Sequence, residues 1–217
     1  MKQAAKRDLR AALVKASKDL AAAGLNRGAT GNVSVRSAQG FLVTPSGVAT
    51  SALRASQMVP IAGDGIPEDK TWRPSSEWRM HFALYRAHPE IGAVVHAHPP
   101  YATALACAHR PIPAFHYMVA LAGGHGIPLA PYATFGSEAL SAAVVATLSE
   151  CRACLLANHG MVAMGADLEA ACRLAEEVEH LARVYLLTLQ AGEPRILDDA
   201  EMTRVSDKFT TYGRQPR

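Results

Sequence analysis

The sequence predicts an α/β fold, and three observations carry the prediction. Residues 4–23 and 167–191 place apolar side chains at helical spacing. Val33-Ser34-Val35-Arg36 and Phe41-Leu42-Val43-Thr44 flank a turn at residues 37–40 and read as a hairpin. Ile91-Gly92-Ala93-Val94-Val95 and Cys154-Leu155-Leu156-Ala157 are uninterrupted apolar runs of buried-strand length, and each leads into histidine.

Length and composition set the bounds. A chain of 217 residues fits one domain, taken here as residues 1–217, and is long enough to bury a sizeable core. Apolar residues make up 49% and charged residues 19%, the balance of an ordinary soluble globular protein. The net charge of +3 is spread without a basic run, so no nucleic-acid partner is expected. No segment has the length of a transmembrane span and the N-terminus lacks the apolar stretch of a signal peptide, so no membrane partner is expected either. Four cysteines in this length suggest reduced thiols and a cytoplasmic location.

Taken in order, Leu9, Leu13, Ala16 and Leu20 make the stripe of the first helix, and Gly24 stops it. After the hairpin, Met58-Val59-Pro60-Ile61 reads as an edge strand, because proline cannot donate to a ladder. Residues 62–73 are loop-like. Pro74-Ser75-Ser76-Glu77 opens a helix that runs through Trp78, Phe82 and Tyr85 to His88-Pro89, with His81 and His88 expected at its surface. The strand of residues 91–95 follows, then a short helix from Tyr101 to Ala108. Pro131 to Gly136 is strand-like, and Ser137 caps a helix reaching about Glu150. Cys151-x-x-Cys154 has no second pair to complete a zinc knuckle, so two small residues at a helix-to-strand junction is the better reading. Met161 to Met164 makes a further strand. Leu174, Val178, Leu181 and Tyr185 form the stripe of the last long helix. The tail from Asp198 carries two aromatics, Phe209 and Tyr212, that suit docking.

The chemistry centres on His96-Ala97-His98. Side chains two apart on a strand share a face, so both imidazoles can reach one point. For an isolated His-x-His, a pair of core histidines satisfied by hydrogen bonds is an equal reading. His159, at the end of the second apolar strand, offers a third ligand and Glu77 a nearby carboxylate. His109, His116 and His125 are weaker candidates. Three neutral imidazoles leave a divalent ion its charge and an open position, the catalytic rather than the structural arrangement. Ser75 and Ser76 at a helix N-terminus could hold a phosphate, although capping alone would account for them. The glycine turns at Gly28 to Gly31 and Pro45-Ser46-Gly47 could present N–H groups to an anion, or simply permit tight turns. Together these point to bond cleavage beside the ketone of a small sugar phosphate. No Gly-x-Gly-x-x-Gly, P-loop, His-Glu-x-x-His or Gly-x-Ser-x-Gly pattern supports a nucleotide enzyme, a zinc peptidase or a serine hydrolase.

Gly31-Asn32-Val33-Ser34, Thr44-Pro45-Ser46-Gly47, Pro74-Ser75-Ser76-Glu77-Trp78, His96-Ala97-His98 and Asn158-His159-Gly160 together resemble the class II aldolase/adducin family, in order and over nearly the whole chain. The resemblance implies an α/β/α layered fold around a mostly antiparallel central sheet, assembled as a C4 homotetramer with the active site at the subunit interface. It implies one zinc ion per subunit on His96, His98 and His159, with Glu77 as catalytic acid/base and a fourth ligand without substrate. Asn32, Ser46, Gly47, Ser75 and Ser76 would bind the substrate phosphate. Tyr117 would arrive from a neighbouring subunit as a second catalytic group, and Phe135 and Tyr212 would line an aldehyde pocket. The implied reaction is retro-aldol cleavage of a ketose 1-phosphate, L-fuculose 1-phosphate or a close analogue, to dihydroxyacetone phosphate and a short aldehyde. Alternatives are a 5-deoxyribulose or methylthioribulose 1-phosphate aldolase, a phosphopentulose 4-epimerase, a sugar-acid phosphate decarboxylase, and a non-enzymatic assembly module that should have lost its histidines.

Overall fold

The structure, a computed structural model, describes residues 2–69 and 71–211, with side chains from residue 9 onward. Its centre is one seven-stranded sheet: β1 (Asn32–Ser37), β2 (Gly40–Val43), β3 (Val59–Ala62), β4 (Ala93–Ala97), β5 (Leu129–Ala130), β6 (Ala153–Leu156) and β7 (Gly160–Gly165), in the order β3-β2-β1-β4-β7-β6-β5. Every pairing is antiparallel except β5 with β6. Proline-bearing β3 lies at one edge, as its sequence predicts.

Helices cover both faces. Helices α1 (Lys2–Ala22), α3 (Pro100–Cys107) and α5 (Leu168–Ala191) pack on one face, and α2 (Trp78–Ala87) and α4 (Glu138–Thr147) on the other. Strand alternation makes this possible. Val33, Val35, Ala93, Val95, Met161 and Ala163 feed the first core layer, whereas Val94, Val162 and Met164 feed the second. The α1 stripe buries Leu13, Ala16 and Leu20, and the helix ends where Leu25 N–H returns to Leu20 O at 2.9 Å. The α5 stripe buries Leu174, Val178, Leu181 and Tyr185 as its spacing predicts.

Three expectations are corrected. Residues 131–136 form no strand; β5 ends at Ala130, and the following Thr134 to Ser137 turn leads into α4. The tail reading omitted α6 (Asp199–Phe209), capped by Asp198 accepting from Glu201 N–H at 2.8 Å. His81 and His88 are not surface residues: His81 is 0% exposed and His88 is largely buried. His81 falls on the face of α2 that carries Met80, Leu84 and Tyr85 into the core.

The same alternation positions the site. On β1, Asn32, Ser34 and Arg36 point away from the Val33 and Val35 layer, toward α2. Asn32 pairs in register with His96 of β4, which shares a face with Val94. Gly160 opens β7 where the backbones crowd together; a Cβ there would stand 2.4 Å from Ala97 O and 2.7 Å from His98 Cδ2. Gly160→Ala should therefore cost about 1–3 kcal/mol, read as a lower denaturation midpoint. An unchanged midpoint would contradict this close approach.

Candidate metal centre and cavity

Glu77, His96, His98 and His159 bring one ligand atom each within 4.8 Å of one another. His96 comes from β4, His98 from the residue just beyond it, and His159 from the β6–β7 turn. The three imidazole centroids are 4.7, 4.8 and 4.9 Å apart, nearly an equilateral triangle. His96 Nε2 and His98 Nε2 are 2.9 Å apart. Met161 O accepts from His96 Nδ1 at 2.9 Å, which fixes the ring and turns Nε2 into the cluster. Asn26 Oδ1 accepts from the His98 backbone N–H at 3.3 Å and steadies the strand exit.

Glu77 sits at the N-terminus of α2 with φ −99° and ψ 10°, and its side chain does not cap the helix. The carboxylate turns instead to the histidines. Oε2 lies 2.9 Å from His96 Nε2 and accepts from Asn32 Nδ2 at 3.1 Å. Oε1 lies 3.5 Å from His159 Nε2 and is buried without a hydrogen bond. A buried carboxylate oxygen with no donor, facing three convergent imidazole nitrogens, fits a divalent cation better than it fits a closed hydrogen-bond network.

The electrostatics agree. Burial opposes the charge on Glu77, but His96, by charge and hydrogen bond, and then His159 and Asn32 outweigh it and hold the carboxyl well below its usual range. Burial and the neighbouring His96 push His98 down to about 3 and lower His159. His96 is raised: burial lowers it, and the Glu77 carboxylate more than compensates. Glu77 is thus held as an anion and His98 and His159 as neutral imidazoles, the protonation states that a metal requires, while a cation bound beside Glu77 would take the place of the His96 proton.

The cluster opens into a cavity of about 340 Å³. Among its lining residues are Asn32, Ser46, Gly47, Ser75 and Ser76, with Phe135 and Asn158. The two serine-bearing loops are stitched together: Ser46 N–H donates to Arg73 O at 2.9 Å and Ser75 N–H to Thr44 O at 3.0 Å. The Phe135 turn lies close behind Ser76, where a Cβ on Gly136 would stand 2.9 Å from Ser76 O. Tyr132 also lines the cavity and was not singled out from the sequence.

Not every predicted site residue gathers here. Tyr117 lies outside the cavity lining, on the short 3-10 helix Tyr117–Ala122, half exposed and stacked against His116 and Phe209. Tyr212 lies outside the described residues. His109 and His125 are exposed and engage Asn158 at 2.6 Å and Asp199 at 2.8 Å, while His116 accepts from Met118 N–H at 3.2 Å. The four cysteines are free thiols, and burial raises Cys154 within β6. Among the described residues, no helix is long and apolar enough to cross a membrane.

Comparison with known proteins follows the same lines. The sequence profile of the Class II Aldolase and Adducin N-terminal domain matches residues 11–186. A 5-methylthioribulose-1-phosphate/5-deoxyribulose-1-phosphate aldolase of Rhodospirillum rubrum is 50% identical over 209 residues, covering 94% of this chain and 92% of its own. An L-fuculose phosphate aldolase of Escherichia coli O6:H1 is 50% identical over 191 residues, 88% of each chain. A solved L-fuculose 1-phosphate aldolase superimposes with a TM-score of 0.90 at 39% identity, over 94% of this chain and 96% of that one.

His96→Ala removes the most buried imidazole of the cluster and should abolish stoichiometric metal, measured by elemental analysis, with the fold retained. Glu77→Gln leaves the three imidazoles and should retain metal. A His96→Ala protein that keeps its full metal content would contradict this ligand set.

Proposed function

The chain belongs to the class II aldolase and adducin family and is a class II aldolase; from that premise we propose that it is a zinc-dependent lyase cleaving a ketose 1-phosphate to dihydroxyacetone phosphate and a short aldehyde. The observation that carries the reading is the Glu77, His96, His98 and His159 cluster at a cavity lined by Ser46, Gly47, Ser75 and Ser76. One end offers a place for a polarising cation and the other offers donors for a phosphate.

His96, His98 and His159 would hold the ion, and imidazole with carboxylate donors suits zinc. When bound, the ion polarises the ketone oxygen beside the bond that breaks. Asn32, Ser46, Gly47, Ser75 and Ser76 would hold the phosphate, which fixes the ketose along the cavity. One N–H of the Asn32 amide goes to Glu77; the second remains for the substrate. Cleavage removes the proton of the C4 hydroxyl, breaks the C3–C4 bond and returns a proton to C3. Glu77 serves at C3, because its carboxylate lies against the imidazole cluster and lines the cavity. Tyr117 of the partner subunit would take the C4 hydroxyl proton; its place outside its own chain's cavity supports a homo-oligomer, a C4 tetramer in this reading. Phe135, 66% exposed at the cavity, and Tyr212 would shape the aldehyde pocket.

The relatives favour two substrate groups. L-Fuculose 1-phosphate would release lactaldehyde, and 5-deoxyribulose 1-phosphate would release acetaldehyde; both leave the same three-carbon phosphate. The Rhodospirillum relative supports the second as strongly as the Escherichia relative supports the first. The intact ligand set and Glu77 speak against a non-enzymatic assembly module.

A coupled assay of dihydroxyacetone phosphate should detect release from both ketoses, lost on chelation and restored by Zn²⁺. Glu77→Gln should lower kcat by about 10²–10⁴-fold. Chelator-insensitive release, or a Glu77→Gln protein with normal turnover, would contradict the reading.

A further inference from the structure

His81 is a fully buried imidazole to which neither the cluster nor the phosphate site assigns a task. Its Nε2 lies 2.5 Å from Asn32 Oδ1 and its Nδ1 2.7 Å from Ser34 Oγ. Ser34 Oγ is in turn 2.9 Å from Tyr85 Oη. The geometry of helix and strand produces this row. Glu77, His81 and Tyr85 are spaced by four along α2, about 6 Å per step. Asn32, Ser34 and Arg36 are spaced by two along β1, about 6.7 Å per step. The two polar rows therefore stay in register across the packed interface.

Hydrogen-bond chemistry gives the row a direction. The Glu77 carboxylate only accepts, so Asn32 presents its amide N–H to Oε2. Asn32 Oδ1 then faces His81 and needs a donor, which makes His81 the Nε2–H tautomer. Its Nδ1 is bare and accepts from the Ser34 hydroxyl, whose oxygen accepts from Tyr85. Burial and then His96 push His81 down to about 3, so the ring is neutral at neutral pH. Arg36 clamps the far end: its guanidinium lies 4.7 Å from the Tyr85 ring centroid and donates to Tyr85 O and His88 O at 3.1 Å each.

We propose that His81, held as the neutral Nε2–H tautomer by Ser34 and Tyr85, is a positioning residue that locks the Asn32 amide with its N–H toward Glu77. The inference rests on Glu77 being the acid/base of the proposed cleavage. Rotation of the amide would place its carbonyl oxygen against the carboxylate and turn it toward the phosphate site. Locked, it tethers Oε2 and leaves Oε1 directed at the imidazoles.

The test pairs spectroscopy of metal-free protein with kinetics of the metal-loaded protein. Long-range proton–nitrogen NMR on 15N-histidine-labelled protein should identify His81 as the neutral Nε2–H tautomer; the Nδ1–H tautomer would overturn the proposal. His81→Gln keeps an N–H near the place of Nε2 and should retain kcat close to that of the parent. His81→Met removes the donor and should lower kcat by about 10- to 100-fold at full metal content. Equal kcat in the two variants, whether both are lost or both retained, would overturn the lock. If His81→Met does not fold, Ser34→Ala serves: mixed His81 tautomers with reduced kcat support the lock, and an unchanged tautomer with unchanged kcat overturns it. A parent protein that releases no dihydroxyacetone phosphate yet shows the stated tautomer would sink the aldolase reading and leave the amide lock supported.

Discussion

The Glu77 carboxylate is buried against His96, and much of the structure serves to hold it there. A carboxylate 5% exposed is costly unless opposite charge and donors surround it. His96 and Asn32 supply these at 2.9 and 3.1 Å, and both come from neighbouring strands whose register sets them side by side. The N-terminus of α2 delivers the carboxylate from the opposite layer. Any slip of one residue in β1 or β4 would turn Asn32 or His96 into the apolar layer of Val33 and Val95. The sheet register is therefore also the register of the site.

Much of this was legible in the sequence because it depends on short periods. The parity of His96 and His98, the proline edge strand β3 and the stripes of α1 and α5 follow from local spacing. Gathering His159 with the other two depended on which strands become neighbours, which local pattern does not state; the order of family motifs supplied it. His81 was misread because its polarity suggested the surface, whereas its spacing of four from Glu77 and from Tyr85 placed it inside. The signal was present in that spacing and in the matching Asn32, Ser34 and Arg36 on the strand. Residues 131–136 were misread in the opposite sense, since aromatic content there serves the cavity rim rather than a strand. Helix α6 is short and mostly polar, so only Met202, Val205 and Phe209, at spacings of three and four, mark the side that packs on the core.

The cavity divides its work between two kinds of backbone. The three histidines stand on the sheet or one residue from its strand ends, and Glu77 stands at the N-terminus of α2, where packing fixes them. Of the proposed phosphate donors, Asn32 opens β1, while Ser46, Gly47, Ser75 and Ser76 stand on loops stitched by Ser46 N–H to Arg73 O and Ser75 N–H to Thr44 O. Exposed Tyr132 and Phe135, by contrast, line the rim of the cavity, the proposed aldehyde end, which in the proposed assembly is completed by a second subunit. A packed centre with an exposed rim is the arrangement expected where one chemistry is fixed by the scaffold and substrate choice is set at the surface.

The central claim is that the three histidines form the metal centre. X-ray absorption spectroscopy of the zinc-loaded protein tests it most directly. The account predicts three imidazole nitrogens at about 2.0–2.1 Å with oxygen completing the shell and no sulfur. A shell containing thiolate sulfur, or fewer than three imidazoles, would contradict it.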